Sequence, residues 1–144
     1  MRYRLAFDTN VLFSALFFGK KAGEALYTIL ANQHYLICSE YIRDELLEVI
    51  RRKGLSVVPA QKLFALSNVK TLPDSTYASR KNFDSCKKII RDEKDVPVLA
   101  FAKHALENNL VDFFISGDND LLEPKVRRFA ETRILSLSEF LARK

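Results

Sequence analysis

The segment Arg-Leu-Ala-Phe-Asp-Thr-Asn, at residues 4–10, joins a short apolar run to a carboxylate and two polar residues. The run ends at Phe7, and its length and apolar character are typical of a buried strand. Apolar residues then recur from Val11 to Leu16 at the i, i+1, i+4 and i+5 positions of one helix face, which predicts a helix over residues 9–18. Asp8 therefore stands where a predicted strand passes directly into a predicted helix.

The same alternation of short apolar runs and amphipathic stretches continues along the chain. Further strands are predicted at residues 35–38, 69–72, 113–115 and 134–137. Helices are predicted after the Ser39 cap, at residues 22–32, 59–66, 83–90 and 95–108, after Asp118, and from a Ser138 cap to Leu141. Strands and helices that alternate through short connections are typical of a parallel sheet covered on both faces. We therefore expect an α/β fold, a three-layer α/β/α sandwich with a central, mostly parallel sheet, in one domain over residues 1–144.

Composition limits the possible classes of protein. The chain has 144 residues, of which 48% are apolar, and this excludes disorder and is enough for one core rather than two. Lys and Arg number 23 against 18 Asp and Glu, and the net charge of +5 is compatible with binding a polyanion. Many basic proteins with such a surplus bind no nucleic acid.

Cysteine and histidine are scarce. Two cysteines exclude a disulfide scaffold and a cysteine-rich zinc site, and two histidines supply few ligands for a histidine-based metal site. The longest apolar run, residues 11–18, is too short to cross a membrane, so no membrane partner is expected. Free thiols and the lack of a convincing signal sequence predict a cytoplasmic protein.

Acidic residues follow the predicted strands at the edge where the functional sites of open parallel sheets lie. They are Asp8 after the first strand, Glu45 in the helix after the second, Asp95 at the start of a later helix, and Asp118 and Asp120 after the fourth strand. Taken singly, an aspartate before a helix is most simply an N-cap, and a glutamate on a helix is most simply solvated. Taken together, carboxylates that converge on one point repel one another and need a cation to stay charged.

Carboxylate oxygens favour a hard cation, Mg²⁺ or Mn²⁺. Such an ion activates water and stabilises charge on a phosphodiester oxygen. On a basic protein, the acids therefore indicate phosphodiester hydrolysis by metal-activated water. Nothing in the sequence indicates a serine or cysteine nucleophile.

Five segments, in the same order, resemble the PIN-domain ribonucleases. They are Phe7-Asp8-Thr9-Asn10, the Ser-x5-Glu-Leu pattern of residues 39–46, the Asp-x6-Ala pattern of residues 95–102, Ile-Ser-Gly-Asp-Asn-Asp-Leu-Leu at residues 115–122, and a last strand and helix at residues 134–141. No single segment is specific, whereas the ordered set covers nearly the whole chain. The stretch from Leu55 to Ile90 matches least, and Ser116 stands where threonine is commoner.

The resemblance implies an acidic catalytic quartet and a divalent ion. The quartet is Asp8, Glu45, Asp95 and Asp118, and the spacing to Ala102 favours Asp95 over Asp92 as its third member. Asp8 and Asp118 are expected to bind the metal most directly, with Asp95 acting through a water or a second ion. Asp120 is a possible further ligand, and Glu45 is expected to position or deprotonate the attacking water.

Substrate contacts are predicted for three polar residues near the acids and for three basic residues. They are Thr9, Asn10, Ser116, Lys20, Lys21 and Arg52. Thr9 and Asn10 either orient Asp8, contact a phosphate or simply begin a helix, and the Ser116 hydroxyl is suited to hold a carboxylate. Phe17 and Phe18 are able to stack on bases, although core packing or a dimer contact explains them more simply.

The family and the size of the chain together imply the toxin of a type II toxin–antitoxin pair. Such a toxin cuts single-stranded RNA, is restrained by a cognate antitoxin protein and forms a homodimer. Two alternatives stay open, a PIN-like module that binds RNA or protein without catalysis, and a structural domain with capping aspartates. A phosphatase of the haloacid-dehalogenase type needs a second aspartate two residues after Asp8, where this chain has Asn10.

Overall fold

A computed structural model describes residues 2–130 and 133–143. Within these residues, five strands form one sheet in the order β3-β2-β1-β4-β5. The strands are β1 (Arg4–Phe7), β2 (Tyr35–Ser39), β3 (Val69–Leu72), β4 (Phe113–Ile115) and β5 (Ile134–Leu135). Every adjacent pair in this sheet is parallel, which confirms the predicted α/β class.

Helices fill the connections between the strands. They are α1 (Thr9–Phe13), α2 (Lys20–Ala31), α3 (Glu40–Arg52), α4 (Val58–Phe64), α5 (Arg80–Lys87), α6 (Val96–Glu107), α7 (Asn119–Leu122), α8 (Pro124–Phe129) and α9 (Leu137–Leu141). A π-helical segment, Ser14–Phe18, continues α1, and 3₁₀ turns lie at Asp74–Thr76 and Glu93–Asp95.

The sheet is buried on both faces. Leu5, Ala6 and Phe7 of β1 are almost completely buried although successive side chains of a strand point to opposite faces. Helices therefore cover both sides of β1, and the expected three-layer arrangement is confirmed. None of the helices within residues 2–130 and 133–143 combines the length and the apolar character needed to cross a bilayer.

A cleft opens between the ends of β1 and β4 because the chain leaves these neighbouring strands in opposite directions. The chain leaves β1 towards β2 and β3, and later leaves β4 towards β5 on the other side of the sheet. Phe7 is paired with Ile115, and the Asp8 N–H donates to the Ile115 carbonyl oxygen at 3.0 Å. The residues after these strands thus emerge side by side at the point where ligands bind in open α/β sheets.

The last helix begins two residues earlier than the sequence predicts. Ser136, rather than Ser138, is the N-cap of α9, and the strand predicted to Leu137 ends at Leu135. Ser136 Oγ accepts from the Glu139 N–H at 3.1 Å, while Glu139 accepts from the Ser136 N–H at 2.9 Å. Ser138 lacks this reciprocal pairing because Leu141 stands three residues after it.

Two further departures concern helices. The sequence did not predict α8, which begins at Pro124 and follows α7 directly. The helix predicted over residues 9–18 changes to π geometry at Ser14, where the Gly19 N–H donates to the Ser14 carbonyl oxygen five residues earlier. Close packing against α2 accompanies the change, since a Cβ atom at Gly23 would lie 3.1 Å from the Ala15 carbonyl oxygen.

Candidate active site

An acidic cleft of about 310 Å³ opens at the carboxyl ends of β1 and β4. Four of the predicted acids line it, one from each of four separate parts of the chain: Asp8, Glu45, Asp95 and Asp118. The first follows β1, the second lies on α3, the third precedes α6 and the fourth follows β4. The fold thus brings together carboxylates that are up to 110 residues apart in the sequence.

Asp8 forms the floor of this cleft and is held rigidly. Only 5% of the residue is exposed. Its Oδ1 accepts from the Val11 N–H at 3.0 Å, and its Oδ2 accepts from the Gly117 N–H at 3.2 Å and from the Ser116 hydroxyl. Burial raises the pKa of Asp8, and these hydrogen bonds act in the opposite direction. Of about four lone-pair sites on a carboxylate, one is left for a ligand in the cleft.

Ser116 links the ends of the two central strands. Its hydroxyl donates to Asp8 and accepts from the Asp118 N–H at 3.0 Å. The residue is 1% exposed, so its hydroxyl lies beneath the carboxylates rather than on the surface of the cleft. The sequence predicted that the Ser116 hydroxyl holds a carboxylate, and in the structure this hydroxyl holds the carboxylate of Asp8.

Asp95, Asp118 and Asp120 lie close together on the other side of the cleft. Each presents a carboxylate oxygen, and these three oxygens lie within 4.8 Å of one another. Asp118 also caps α7, since its Oδ1 accepts from the Asp120 N–H at 2.9 Å. Asp8 likewise caps α1. Asp8 and Asp118 therefore each cap a helix and also line the cleft.

Asp95 differs because it precedes α6 without capping it. Its side chain makes no cap hydrogen bond to the first turn of that helix. Partial burial raises its pKa to about 7, and the nearby carboxylates of Asp118, Asp92 and Asp120 add to this effect. The carboxylate of Asp95 is thus held among other acids without a hydrogen bond from its own helix.

Glu45 is positioned by Thr9. The Thr9 side chain is buried at the start of α1, and its hydroxyl donates to Glu45 Oε1 on α3. Asn10 is exposed and lines the cleft beside Thr9. The Thr9 hydroxyl therefore serves an acid, as the sequence suggested, although that acid is Glu45 rather than Asp8.

A comparison with protein families identifies this chain. The family model described as PIN domain matches residues 4–120, which contain the acids that line the cleft and Asp120. The chain belongs to the PIN domain family. PIN domains are generally nucleases.

Solved structures with the same fold come from two bacteria. One is described as a toxin-antitoxin complex from Klebsiella pneumoniae, with 17% identity and a TM-score of 0.57 over 84% of this chain and 93% of that chain. The other is VapBC2 from Rickettsia felis bound to a DNA fragment from their promoter, with 15% identity and a TM-score of 0.59 over 92% of this chain and 97% of that chain. Comparison with curated protein sequences gave no significant match.

The acids of this PIN domain suit a divalent cation, which PIN nucleases generally use. The ligands on offer at Asp95, Asp118 and Asp120 are all carboxylate oxygens, the type that Mg²⁺ and Mn²⁺ prefer. A cation at this position relieves the repulsion that raises the pKa of Asp95. Asp8 lies in the same cleft but outside this group of three.

The PIN domain places one of the three predicted basic residues in the cleft. Arg52, at the end of α3, lines it. Lys21 donates to Ser138 Oγ at 2.8 Å on α9, and both Lys20 and Lys21 are exposed on α2 outside the residues that line the cleft.

Sequence reasoning missed Lys94 as a cleft residue, and it left the role of Asp92 open. Both line the cleft from the turn that precedes α6. Asp92 caps that turn by accepting from the Lys94 N–H at 3.0 Å. The sequence did indicate Lys94, because it directly precedes Asp95 and a residue next to an acid of the site lies at the same edge of the sheet.

Proposed function

We propose that this PIN domain is a divalent-metal-dependent endoribonuclease that cuts single-stranded RNA, and that residues 1–144 act as one nuclease domain. The observation that carries the proposal is the convergence of Asp8, Glu45, Asp95 and Asp118 on one cleft. A structural domain with capping aspartates needs no such convergence. It also leaves unexplained why Asp95, which does not cap its helix, sits at a carboxylate cluster.

The cation would be held by Asp95, Asp118 and Asp120. Asp8 would contribute its remaining lone pair from the floor of the cleft. When bound, Mg²⁺ or Mn²⁺ stabilises negative charge on the phosphodiester and lowers the pKa of water. Ser116 keeps Asp8 and Asp118 in a fixed relation by bonding to both. Asp8 and Asp118 are thereby presented in a preformed arrangement.

Glu45 is proposed to orient the attacking water and to accept its proton. The Thr9 hydroxyl bonds to Oε1 of Glu45, and this contact fixes the carboxylate at the wall of the cleft. Arg52 and Lys94 supply positive charge at the same cleft, where they are suited to contact the phosphates that flank the cut. Asn10 is exposed beside them and able to donate to a phosphate oxygen.

The biological role that we propose is that of a toxin controlled by a cognate antitoxin protein. One of the solved structures with the same fold is described as a toxin-antitoxin complex, which supports this role. We further propose that the protein forms a homodimer and acts in the cytoplasm, where its RNA substrates lie. Light scattering of the purified protein, alone and with the product of an adjacent small gene, tests the dimer and the partner.

The first prediction is metal-dependent cleavage of RNA. The purified protein is incubated with end-labelled single-stranded RNA in Mg²⁺ or Mn²⁺, and the products are resolved on a denaturing gel. We expect internal cuts that stop in EDTA, and a loss of about a hundredfold or more in rate for Asp8→Asn and Asp95→Asn. Asp84→Asn is the matched control, because Asp84 is an exposed α5 residue whose ion-pair partner is Arg80.

Two outcomes would contradict the proposed nuclease activity. Cleavage that persists in EDTA, or that is unchanged in Asp8→Asn, would show that the acids do not carry the activity. Binding of the RNA without any cut in either metal would favour the non-catalytic module.

A further inference from the structure

Three phenylalanines form an aromatic cluster at the end of α1. The ring centroids of Phe13 and Phe17 lie 5.2 Å apart, those of Phe13 and Phe18 5.5 Å, and those of Phe17 and Phe18 6.3 Å. Phe13 and Phe17 are half-buried against the core, whereas Phe18 is 70% exposed. Phe18 thus presents a large apolar ring to solvent while it contacts two other rings.

The π-helical segment creates this cluster. In an α-helix, a side chain five positions further on points about 140° away. The i→i+5 hydrogen bonds of a π-helix give wider turns, so the fourth and fifth residues after Phe13 both return to its side. Phe17 would meet the Phe13 ring in an α-helix as well, as its i+4 neighbour, whereas Phe18 meets it because the helix changes geometry at Ser14. Such π segments frequently occur at functional positions.

Positive charge accompanies the cluster. The Lys53 ammonium lies 5.8 Å from the centre of the Phe13 ring, within the range of a cation–π contact. Lys20 is exposed two residues after Phe18, and residues 9–18 contain no charged side chain. An aromatic surface flanked by cations complements a chain of phosphates that carries flat bases.

The cluster is continuous with the acidic cleft. Thr9 and Asn10 begin α1 at the cleft, and Phe13 lies one turn further along the same helix. On the facing helix, Arg52 lines the cleft and its neighbour Lys53 lies over the Phe13 ring. At 1.5 Å per residue, about 6 Å separates Thr9 from Phe13 along the axis of α1. A short piece of single strand bridges that distance.

We infer that Phe13, Phe17 and Phe18 form a base-stacking platform that holds single-stranded RNA beside the cleft. The inference rests on the proposed function, because it assumes that the strand reaches the cleft. Phe18 provides the exposed ring on which a base stacks, and Phe13 and Phe17 fix its orientation from below. Lys53 and Lys20 neutralise the adjoining phosphates. The platform accepts any base, since every base has an aromatic face.

The test is RNA binding by variants of Phe18, measured in EDTA so that the RNA stays intact. Fluorescence anisotropy gives the Kd for a labelled single-stranded oligonucleotide and for an abasic oligonucleotide of the same length. We expect Phe18→Ala to weaken binding of the normal strand by about five- to a hundredfold, the effect of losing one stacked base. Binding of the abasic strand should be unchanged, because that strand keeps its phosphates but offers no base to stack.

A second variant supplies a spectroscopic signature. The chain contains no tryptophan, so Phe18→Trp introduces a single reporter whose emission a stacked base quenches. The matched control is Tyr27, which is 74% exposed and lies about two turns along α2. We expect Tyr27→Ala to leave the Kd unchanged and Tyr27→Trp to show no quenching. Circular dichroism confirms that each variant is folded.

The outcomes separate this platform from the proposed nuclease. If the wild-type protein cuts RNA and Phe18→Ala binds RNA as tightly as the wild type, the platform is wrong and the nuclease stands. If RNA quenches Phe18→Trp but no cut occurs, the platform stands without the nuclease. If Phe18→Ala converts a dimer to a monomer and leaves RNA binding intact, the cluster is a protein interface, and the inference is overturned.

Discussion

Asp95 shows at the scale of one residue how a site is prepared for a cation. In the metal-free protein its pKa is raised to about 7 from 3.8, so the folded state holds this proton more tightly than the unfolded chain. Between these two pH values the free energy of unfolding therefore falls as pH rises, and the full destabilisation is present above pH 7. Below about pH 4 the acid is protonated in both states and the effect disappears.

We therefore predict that Asp95→Asn stabilises the metal-free protein at pH 8. Because the side chain is partly exposed, we expect a gain of about 1–2 kcal/mol rather than the full value of the shift. This corresponds to a Tm that is higher by roughly 3–6 °C, measured in EDTA by differential scanning fluorimetry. At pH 4 the two proteins should unfold at the same temperature.

The control for this prediction is Asp84→Asn, which should leave the Tm nearly unchanged at both pH values. Added Mg²⁺ should raise the Tm of the wild type more than that of Asp95→Asn, because the variant lacks one ligand. An equal gain for Asp95→Asn at pH 4 and at pH 8 would contradict a cause based on charge.

The sequence allowed the acids of the cleft to be predicted, because each is tied to the end of a strand or the start of a helix. It did not show which acids lie closest to one another. Asp8 shares the cleft, yet the group within 4.8 Å is Asp95, Asp118 and Asp120. That grouping depends on the length of the turns after β4 and before α6, which residue patterns do not determine. Lys94 was missed although it directly precedes Asp95 in the sequence.

At the scale of elements, helix α9 shows how a cap fixes a boundary. We predict that Ser136→Ala destabilises the protein by about 1 kcal/mol, since it removes the hydroxyl that accepts from Glu139 and breaks the reciprocal pair. The matched change, Ser138→Ala, should cost less than about 0.5 kcal/mol because it touches no cap. Urea unfolding measures both.

Equal losses for the two serines would show that Ser138 has the capping role that the sequence suggested. The arrangement around Glu139 argues against this, because hydrogen bonds from Arg127 and from the Ser136 N–H lower the pKa of Glu139 to about 2. Glu139 thus stays charged and able to hold the helix start down to acidic pH.

The strands were easier to predict than the helix geometry. Three strands occupy the predicted ranges: Arg4–Phe7, Val69–Leu72 and Phe113–Ile115. Phe113–Ile115 and most of Arg4–Phe7 are short apolar runs, which suit the buried middle of a parallel sheet. Val69–Leu72, which contains Lys70 and Thr71, lies at the edge of the sheet. The π segment was not predictable, because its apolar spacing is also that of an ordinary helix. The segment also packs closely against Gly23 of α2, a tertiary contact that the apolar spacing does not reveal.

At the scale of the whole molecule, five acidic residues are gathered at one site while the rest of the chain has an excess of basic residues. Asp8, Glu45, Asp95, Asp118 and Asp120 account for 5 of the 18 acids, so the remaining 13 face 23 basic residues. The net charge of +5 thus combines these five acids with a remainder of the chain whose surplus is 10, from 23 minus 13. Such a distribution attracts a polyanion to the surface around the acids.

We predict that RNA binding weakens steeply with salt. For about three to four phosphate contacts on a single strand, the logarithm of the association constant should fall with the logarithm of the KCl concentration with a slope of about −2 to −3. Changing both Arg52→Gln and Lys94→Gln should make the slope shallower by about 1.4. Anisotropy titrations at several salt concentrations measure it.

The control for the salt prediction is Lys62→Gln, on the exposed side of α4 and away from the cleft. It should leave the slope unchanged. A slope that is the same in the double variant and in the wild type would show that the RNA does not cross the cleft.

The position of β1 between β2 and β4 also governs the order in which this protein matures during synthesis. The partner on one side of β1 begins at Tyr35, and the partner on the other side begins at Phe113. A nascent chain that has not yet reached Phe113 leaves one edge of its central strand open, and Asp8 lacks the Ser116 hydroxyl that holds it. The acidic cleft therefore cannot be complete before Ser116 and Asp118 have been made, and an incomplete chain released early carries Asp8 without the hydroxyl that holds it.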